Sequence, residues 1–192
     1  MVAMKLYTYQ TIEAVKRLHE EGVLRLSEAE RRFTYLGQYD GQDYNPFDAP
    51  YRFMMLRMWQ RLPEPEGDAV YPIWAWYKSN GRYKPSKALD KIHEGKIRLK
   101  LEVDPKRVLL SDFDRFAYLT VGGLYFVLSP EDEETYGKNI FAPEPTFYPN
   151  WDHIFEIHRP KDDDYGSSYR SETIQGTLFE LFLEDVVEEA PV

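Results

Sequence analysis

The segment from Ile97 to Val103 alternates apolar and charged residues along its whole length. Apolar residues occupy every second position, and Arg98, Lys100 and Glu102 lie between them. Because the side chains of a strand point alternately to opposite faces, this pattern predicts a strand with one apolar and one polar face. A chain built around such a strand needs a sheet that packs its apolar face against a core.

Two further segments, Val70 to Lys78 and Ile174 to Leu183, are mostly apolar at consecutive positions. Apolar residues on both faces are typical of strands in the interior of a sheet. In the first segment, alternation places Trp74 and Trp76 on one face and Tyr77 on the other.

The N-terminal region predicts a compact strand-helix-strand unit. Residues 6–9 form the first strand, Thr11 is a suitable N-cap, and Gly22 ends the helix. Together with the other strands, this predicts one α+β domain over residues 1–192, with a mixed or mostly antiparallel sheet and helices packed on it. Residues 184–192 are expected to form a flexible tail.

Composition excludes several classes of function. The chain has 192 residues and a formal net charge of −9, so generic binding to a phosphate backbone is not expected. There is no cysteine, which excludes disulfides, thiol nucleophiles and thiolate zinc sites. Neither a signal peptide nor an apolar run of about 18 residues is visible, so a cytoplasmic protein without a membrane span is expected.

The end of the first strand carries two polar side chains, Thr8 and Gln10, beside the start of a helix. Backbone N–H groups and the positive end of the helix dipole could hold an anionic ligand there. The alternative is that both side chains only satisfy the strand end and the cap.

The segment around Trp74, Trp76, Tyr77 and Lys78 combines aromatic rings with a cation. Such a set suits a flat ring ligand, for example a nucleobase or nicotinamide. The alternative is that these rings belong to the core.

A pair of carboxylates, Asp112 and Asp114, follows a short apolar run. On a strand they would share one face and could perform acid–base chemistry. Alternatively, Ser111 and Asp112 cap a helix that begins near Asp114.

Glu180 lies among apolar neighbours in the last predicted strand. A buried carboxylate is costly unless it is paired, so Glu180 either has a cationic partner or lines a cleft. An arginine of the second helix, Arg52 or Arg57, is the candidate partner. No metal site is expected, because His153 and His158 are wrongly spaced for two ligands on one helical face.

Six segments carry a resemblance to a known family, namely YTYQT (7–11), FMMLRMWQR (53–61), YPIWAWYK (71–78), VLLSDFD (108–114), NWDHIFEI (150–157) and IQGTLFELFLEDVVE (174–188). In this order they resemble a bacterial family catalogued as domain of unknown function 3841. Phe116 and Phe179 stand where a Trp is expected. The resemblance implies one fold unit of about this length without a particular activity.

A looser resemblance concerns the layout of the elements. The opening strand, helix and glycine, and the acidic–Val–Val step near the end, look like those of small ADP-ribosyltransferase-like domains. That resemblance implies NAD as a candidate cofactor. It also implies a polar residue on the first strand, filled by Thr8 or Gln10, an aromatic filled by Tyr77, and a late polar residue filled by Gln175 or Glu180.

Two functional hypotheses follow. In the first, an aromatic cleft binds a nucleotide-like ligand, with Glu180, Gln175 and Tyr77 as candidate catalytic residues. The candidate ligand-binding residues are Thr8, Gln10, Arg52, Trp74, Trp76, Lys78, Asp112 and Asp114. In the second, the same aromatic surface belongs to a non-catalytic module that binds a peptide or protein.

Overall fold

The computed structural model describes residues 2–26, 37–39, 42–44, 48–69, 71–120, 134, 150–159 and 169–192. The chain forms two compact units. Unit 1 comprises residues 1–31, 55–110 and 172–192, and unit 2 comprises residues 32–54 and 111–171. Each is described separately below.

The largest element is a six-stranded sheet. Its strands are β1 (Met4–Gln10), β5 (Ile73–Lys78), β6 (Ile97–Val103), β7 (Leu109–Asp112), β10 (Ile174–Leu178) and β12 (Val186–Pro191). They lie in the order β12-β6-β1-β5-β10-β7. The pairings β12–β6, β6–β1, β1–β5 and β5–β10 are all antiparallel. The predicted α+β fold with a mostly antiparallel sheet is therefore confirmed.

Helix α1 (Ile12–Glu21) begins and ends as its sequence predicts. The Thr11 hydroxyl accepts a hydrogen bond from the backbone N–H of Ala14 at 3.1 Å. Gly22 closes the helix with φ of 76°, a left-handed conformation that glycine adopts without a steric penalty. Its buried residues, which include Val15 and Leu18, belong to the hydrophobic core of unit 1.

One face of the sheet, here called the core face, carries this core. Its strand residues include Leu6, Ala75, Leu99, Leu101 and Leu178, all almost fully buried. Gly176 lies on the same face, where an added Cβ would come within 2.8 Å of a Val108 methyl group. At Gly176 the core face is therefore too closely packed to admit a larger side chain without rearrangement.

The C-terminal residues are ordered, contrary to the predicted tail over 184–192. Residues 183–185 form a 3-10 turn and β12 pairs with β6 at the edge of the sheet. The backbone hydrogen bonds of this segment to β6 do not depend on its acidic side chains, so its composition does not prevent it from forming a strand. A two-stranded sheet, β2 (Val23–Leu24) with β11 (Leu181–Phe182), completes the strands of unit 1.

Unit 2 contains two short hairpins and helix α4 (Phe113–Leu119) among its described residues. The hairpins pair β3 (Gly37–Tyr39) with β4 (Gln42–Tyr44), and β8 (His158–Arg159) with β9 (Tyr169–Arg170). The rings of Phe53 and Trp151 meet edge to face at 5.4 Å.

Two further helices are α2 (Asp48–Arg61), which begins in unit 2 and ends in unit 1, and α3 (Lys87–Ile92) in unit 1. Within the described residues, no helix has the length and apolar character needed to cross a membrane.

Candidate functional site

The second face of the sheet in unit 1, here called the polar face, carries a row of polar and aromatic residues. Direct register pairs join Glu188 to Lys100, Lys100 to Tyr7, Tyr7 to Trp76, and Trp76 to Gln175. Because paired residues of adjacent antiparallel strands point to the same side, these five side chains form one line across five strands.

Gln175 is the anomalous member of this row. It is 5% exposed, and its Nε2 has no hydrogen-bond partner among the residues that the structure describes. Thr177 lies two residues further along the same strand face and is fully buried, but its hydroxyl donates to the Leu109 carbonyl at 3.2 Å. Two neighbouring polar side chains on one strand therefore differ: Thr177 has a hydrogen-bond partner, and Gln175 Nε2 has none in the part of the chain that the structure describes.

One end of the polar face carries a hydrogen-bonded cluster around Asp90 of α3. The Tyr9 hydroxyl donates to Asp90 Oδ1 at 2.7 Å, and Arg98 Nη1 donates to Asp90 Oδ2 at 2.7 Å. The His93 ring stacks on the Tyr9 ring with a centroid distance of 4.1 Å. Lys96 Nζ lies 3.3 Å from His93 Nδ1. The cluster attaches α3 to the sheet.

The pKa values in this cluster shift with the local burial and charge. Burial and the hydrogen bond to Asp90 raise the pKa of Tyr9 far above its usual value. Burial opposes ionisation of Asp90, but the hydrogen bonds from Tyr9 and Arg98 outweigh it and lower the Asp90 pKa. Burial and the positive charge of Lys96 lower the pKa of His93 below 6.5. At neutral pH, Asp90 is therefore ionised, and His93 and Tyr9 are neutral.

Glu188 is the acidic neighbour of the cations at this end. Its carboxylate lies 3.8 Å from Arg98 Nη2 and 3.9 Å from Lys100 Nζ, and its side chain is 52% exposed. Such long contacts at an exposed carboxylate are weak.

The predicted aromatic set is divided between the two faces. Trp74 and Trp76 are half-buried on the polar face, whereas Tyr77 packs against the core and against the exposed Tyr83 ring. A register shift interrupts the alternation next to Lys78. Lys78 is buried and lies 3.6 Å from Glu172.

Thr8 and Gln10 lie on the core face and bond within the fold. The Thr8 hydroxyl donates to the Trp74 carbonyl at 2.7 Å and accepts from Gln10 Nε2 at 2.7 Å. Both residues are almost fully buried. These contacts favour the interpretation that the two side chains satisfy the strand end, rather than an anion site.

Glu180 has an ionic partner, but not the one that its sequence context suggested on the second helix. Its Oε1 lies 2.6 Å from Arg25, and both carboxylate oxygens accept the backbone N–H of Glu66 at 3.1 and 3.2 Å. Arg25 follows β2 and is 155 residues away in sequence. The structure therefore uses Glu180 as one half of a buried ion pair.

The remaining predicted residues belong to unit 2. Asp112 accepts the backbone N–H of Arg115 at 2.8 Å and is the N-cap of α4, so the capping interpretation is confirmed. Asp114 is in the first turn of that helix, where burial and the Asp112 charge raise its pKa. The two aspartates therefore do not share a strand face. Arg52 is an exposed residue of α2.

Sequence reasoning missed Tyr7, Tyr9, Lys100 and His93. The first two alternate in the segment LYTYQ, which is the signal that could have placed both on one face. Lys100 was recognised only as a residue of the polar face of its strand. Within the described part of the chain, no group of three His, Asp or Glu residues is arranged to hold a metal ion.

Comparisons with known proteins give one match. Neither the curated proteins nor the solved structures contain a match to this chain. The model of the family described as Domain of unknown function (DUF3841) matches residues 5–187, nearly the whole chain. The protein therefore belongs to the DUF3841 family.

Proposed function

We propose that unit 1 binds a planar, anionic, nucleotide-like ligand across the polar face of its sheet. The observation that carries this proposal is the register row Lys100, Tyr7, Trp76 and Gln175 on four adjacent strands. The row combines a cation, two aromatic rings and an amide in that order. These are the groups that recognise a phosphate, a flat ring and the polar edge of that ring.

The dimensions of the row suit such a ligand. Neighbouring strands lie about 4.8 Å apart, so Lys100 and Gln175 are separated by about 14 Å along the row. This separation allows a ring to contact Trp76 and Gln175 while an anionic group at the other end of the ligand reaches Lys100. Arg98 lies on the same strand face as Lys100, but its guanidinium is already bound to Asp90, so Lys100 is the cation assigned to the ligand.

Gln175 supports binding rather than a purely structural role for the row. A buried amide without a hydrogen-bond partner destabilises the folded protein by about 1–3 kcal/mol. Because Nε2 is buried, a ligand would have to displace the atoms that cover it; one that then presents a carbonyl oxygen or ring nitrogen to Nε2 would remove this penalty. The bound state would then satisfy a group that the described residues leave without a partner.

The proposed activity is binding, with Gln175, Trp76, Tyr7 and Lys100 as ligand contacts. The resemblance to ADP-ribosyltransferase-like domains stays a prediction, and NAD is accordingly one ligand to test. Glu180 is not assigned a catalytic role here, because its carboxylate already binds Arg25 and the N–H of Glu66.

The test is isothermal titration calorimetry with NAD, ADP-ribose and AMP on the wild type and on the Gln175→Leu variant. Leucine removes the unsatisfied amide at similar size, so we expect the free variant to be more stable by about 1 kcal/mol. We also expect ligand affinity to fall at least roughly tenfold, because the hydrogen bond from Nε2 is lost.

The matched control is Thr177→Val, on the same strand face. It removes a hydroxyl that is already bonded to Leu109. The control should lose about 1 kcal/mol of stability and keep its ligand affinity. If none of the three ligands produces heat with the wild type, or if Gln175→Leu binds as tightly as the wild type, the proposal is wrong.

A further inference from the structure

A separate cavity of about 150 Å³ lies in unit 1, between the segment that follows α2 and the segment that follows β10. Its apolar wall includes Leu62, Phe179 and Phe182, and its charged residues include Glu64, Glu66 and Arg107. The volume matches that of a protein cavity able to hold a benzene-sized group. The cavity is therefore large enough for one side chain and too small for a whole nucleotide.

The charges buried around this cavity are already compensated. Glu180 is paired with Arg25. Arg107 binds both carboxylate oxygens of Asp185, at 2.9 and 3.1 Å, and its guanidinium lies 4.5 Å from the centre of the Phe182 ring. Neither ion pair leaves a net charge for a ligand to neutralise.

The rim of the cavity is acidic and uncompensated. Glu64 and Glu66 are exposed, and neither carboxylate forms an ion pair with any residue in the described part of the chain. Trp59, 47% exposed, places its ring 4.8 Å from that of Phe179. A cavity with an aromatic wall, and with two lining glutamates that have no ion-pair partner in the described part of the chain, is complementary to an alkyl chain that ends in a positive charge.

We infer that this cavity binds one lysine or arginine side chain of a partner peptide. The alkyl part of that side chain would pack against Phe179 and Phe182, and its charged end would lie near Glu64 and Glu66. The partner's backbone would then lie beside the exposed Trp59 ring. This site is independent of the polar face of the sheet, and its partner is a peptide rather than a nucleotide.

The test uses three probes and follows the backbone amides of Leu62, Phe179 and Phe182 by NMR titration of the full chain. The probes are Nα-acetyl-lysine methylamide, whose side-chain amine is free, the corresponding norleucine compound and n-butylamine. We expect the lysine compound to bind roughly fivefold more tightly than the norleucine compound, with a difference that shrinks at high salt. We expect n-butylamine to bind more weakly than the lysine compound, because it lacks the peptide groups.

The Glu64→Gln, Glu66→Gln double variant should abolish the preference for lysine over norleucine. Both residues are exposed, so the variant should fold normally. The matched control is Glu13→Gln with Glu94→Gln, two exposed glutamates outside the cavity lining, and it should retain the preference. Equal binding of lysine and norleucine compounds by the wild type overturns the inference, as does an unchanged preference in the Glu64, Glu66 variant. Equal binding of n-butylamine and the lysine compound indicates a site for free amines and overturns the peptide assignment.

Discussion

The two faces of the sheet in unit 1 differ in the kind of residue that they bury. The core face presents fully buried aliphatic residues such as Leu6, Leu99 and Leu101, which need only an apolar environment of the right shape. The polar face presents Tyr7 and Gln175, which are also buried but can form hydrogen bonds that aliphatic side chains cannot. A fold gains stability from the first arrangement and loses some through the second, which is why we place the candidate ligand site on the polar face.

The polar face also varies along its length. At the α3 end, Asp90 receives hydrogen bonds from Tyr9 and Arg98, so the charges there are satisfied within the fold. Further along the sheet, Gln175 Nε2 lacks such a partner among the described residues. A polar side chain alone therefore does not indicate a functional position. Gln175 is a better candidate for a ligand contact than the residues around Asp90, because its amide lacks a hydrogen-bond partner among the described residues.

The largest effect is expected on the core face. Leu101→Ala should lower the free energy of unfolding by about 3–4 kcal/mol, because it creates a cavity at a fully buried position. Urea denaturation followed by circular dichroism measures this change. The control Ile92→Ala, at a residue that is 76% exposed, should change stability by less than about 0.5 kcal/mol. Similar losses in both variants would contradict the location of the core.

A smaller effect is expected at Glu180, which lies outside the polar-face row. Glu180→Ala should lower the free energy of unfolding by about 2–3 kcal/mol, because it leaves Arg25 and the N–H of Glu66 without their acceptor. We expect binding of ligands at the polar face to be unchanged. Denaturation midpoints and calorimetric titration separate the two outcomes, and a variant that keeps its stability but loses ligand binding would move the site to Glu180.

The sequence predicts the local elements of this fold well. The alternation in 97–103 predicts the two faces of β6, and Thr11 with Gly22 predicts the ends of α1. The N-cap of α4 at Asp112 is one of the two interpretations that the local sequence offers, and the structure confirms it. Each of these features depends on residues a few positions apart, so a periodic pattern or a capping residue suffices to find it.

The candidate site depends instead on pairings between distant segments. Tyr7 and Gln175 enter the same row only because β5 lies between β1 and β10, and no periodic pattern specifies that order. For the same reason, the local sequence around Glu180 does not identify its partner, which is Arg25 and not an arginine of the second helix. The strand over 186–191 was predicted as a tail because its register with β6 is a tertiary property.

A moderate effect on the polar face is expected for Asp90→Asn. It weakens the hydrogen bonds from Tyr9 and Arg98 and should lower the free energy of unfolding by about 1–2 kcal/mol at pH 7. The folded state lowers the Asp90 pKa, so this stabilisation is present above the unfolded pKa and is lost as pH falls through the folded pKa. Urea denaturation at pH 7 and below pH 3.8 measures this change, and we expect the free energies of unfolding of variant and wild type to be closer in acid. A difference in free energy that stays constant with pH would contradict an ionised Asp90 that accepts hydrogen bonds from Tyr9 and Arg98.

The smallest effect is expected from His93, at the end of the polar face. Its pKa is lowered by burial and by Lys96, with Asp90 opposing the shift, so the folded state binds a proton less readily than the unfolded state. The contribution of the neutral His93 ring to the free energy of unfolding should therefore be fully present above pH 6.5. It should decrease as the pH falls from 6.5 toward the pKa of His93 in the folded state. His93→Phe keeps an aromatic ring that can stack on Tyr9 but cannot titrate, so its stability should depend less on pH over this range. Thermal unfolding of both proteins between about pH 5 and 8 measures the difference, because His is the side chain that normally titrates in this range. Identical pH profiles would show that His93 is equally easy to protonate in the folded and unfolded states, and that its contact with Tyr9 leaves the ring open to solvent.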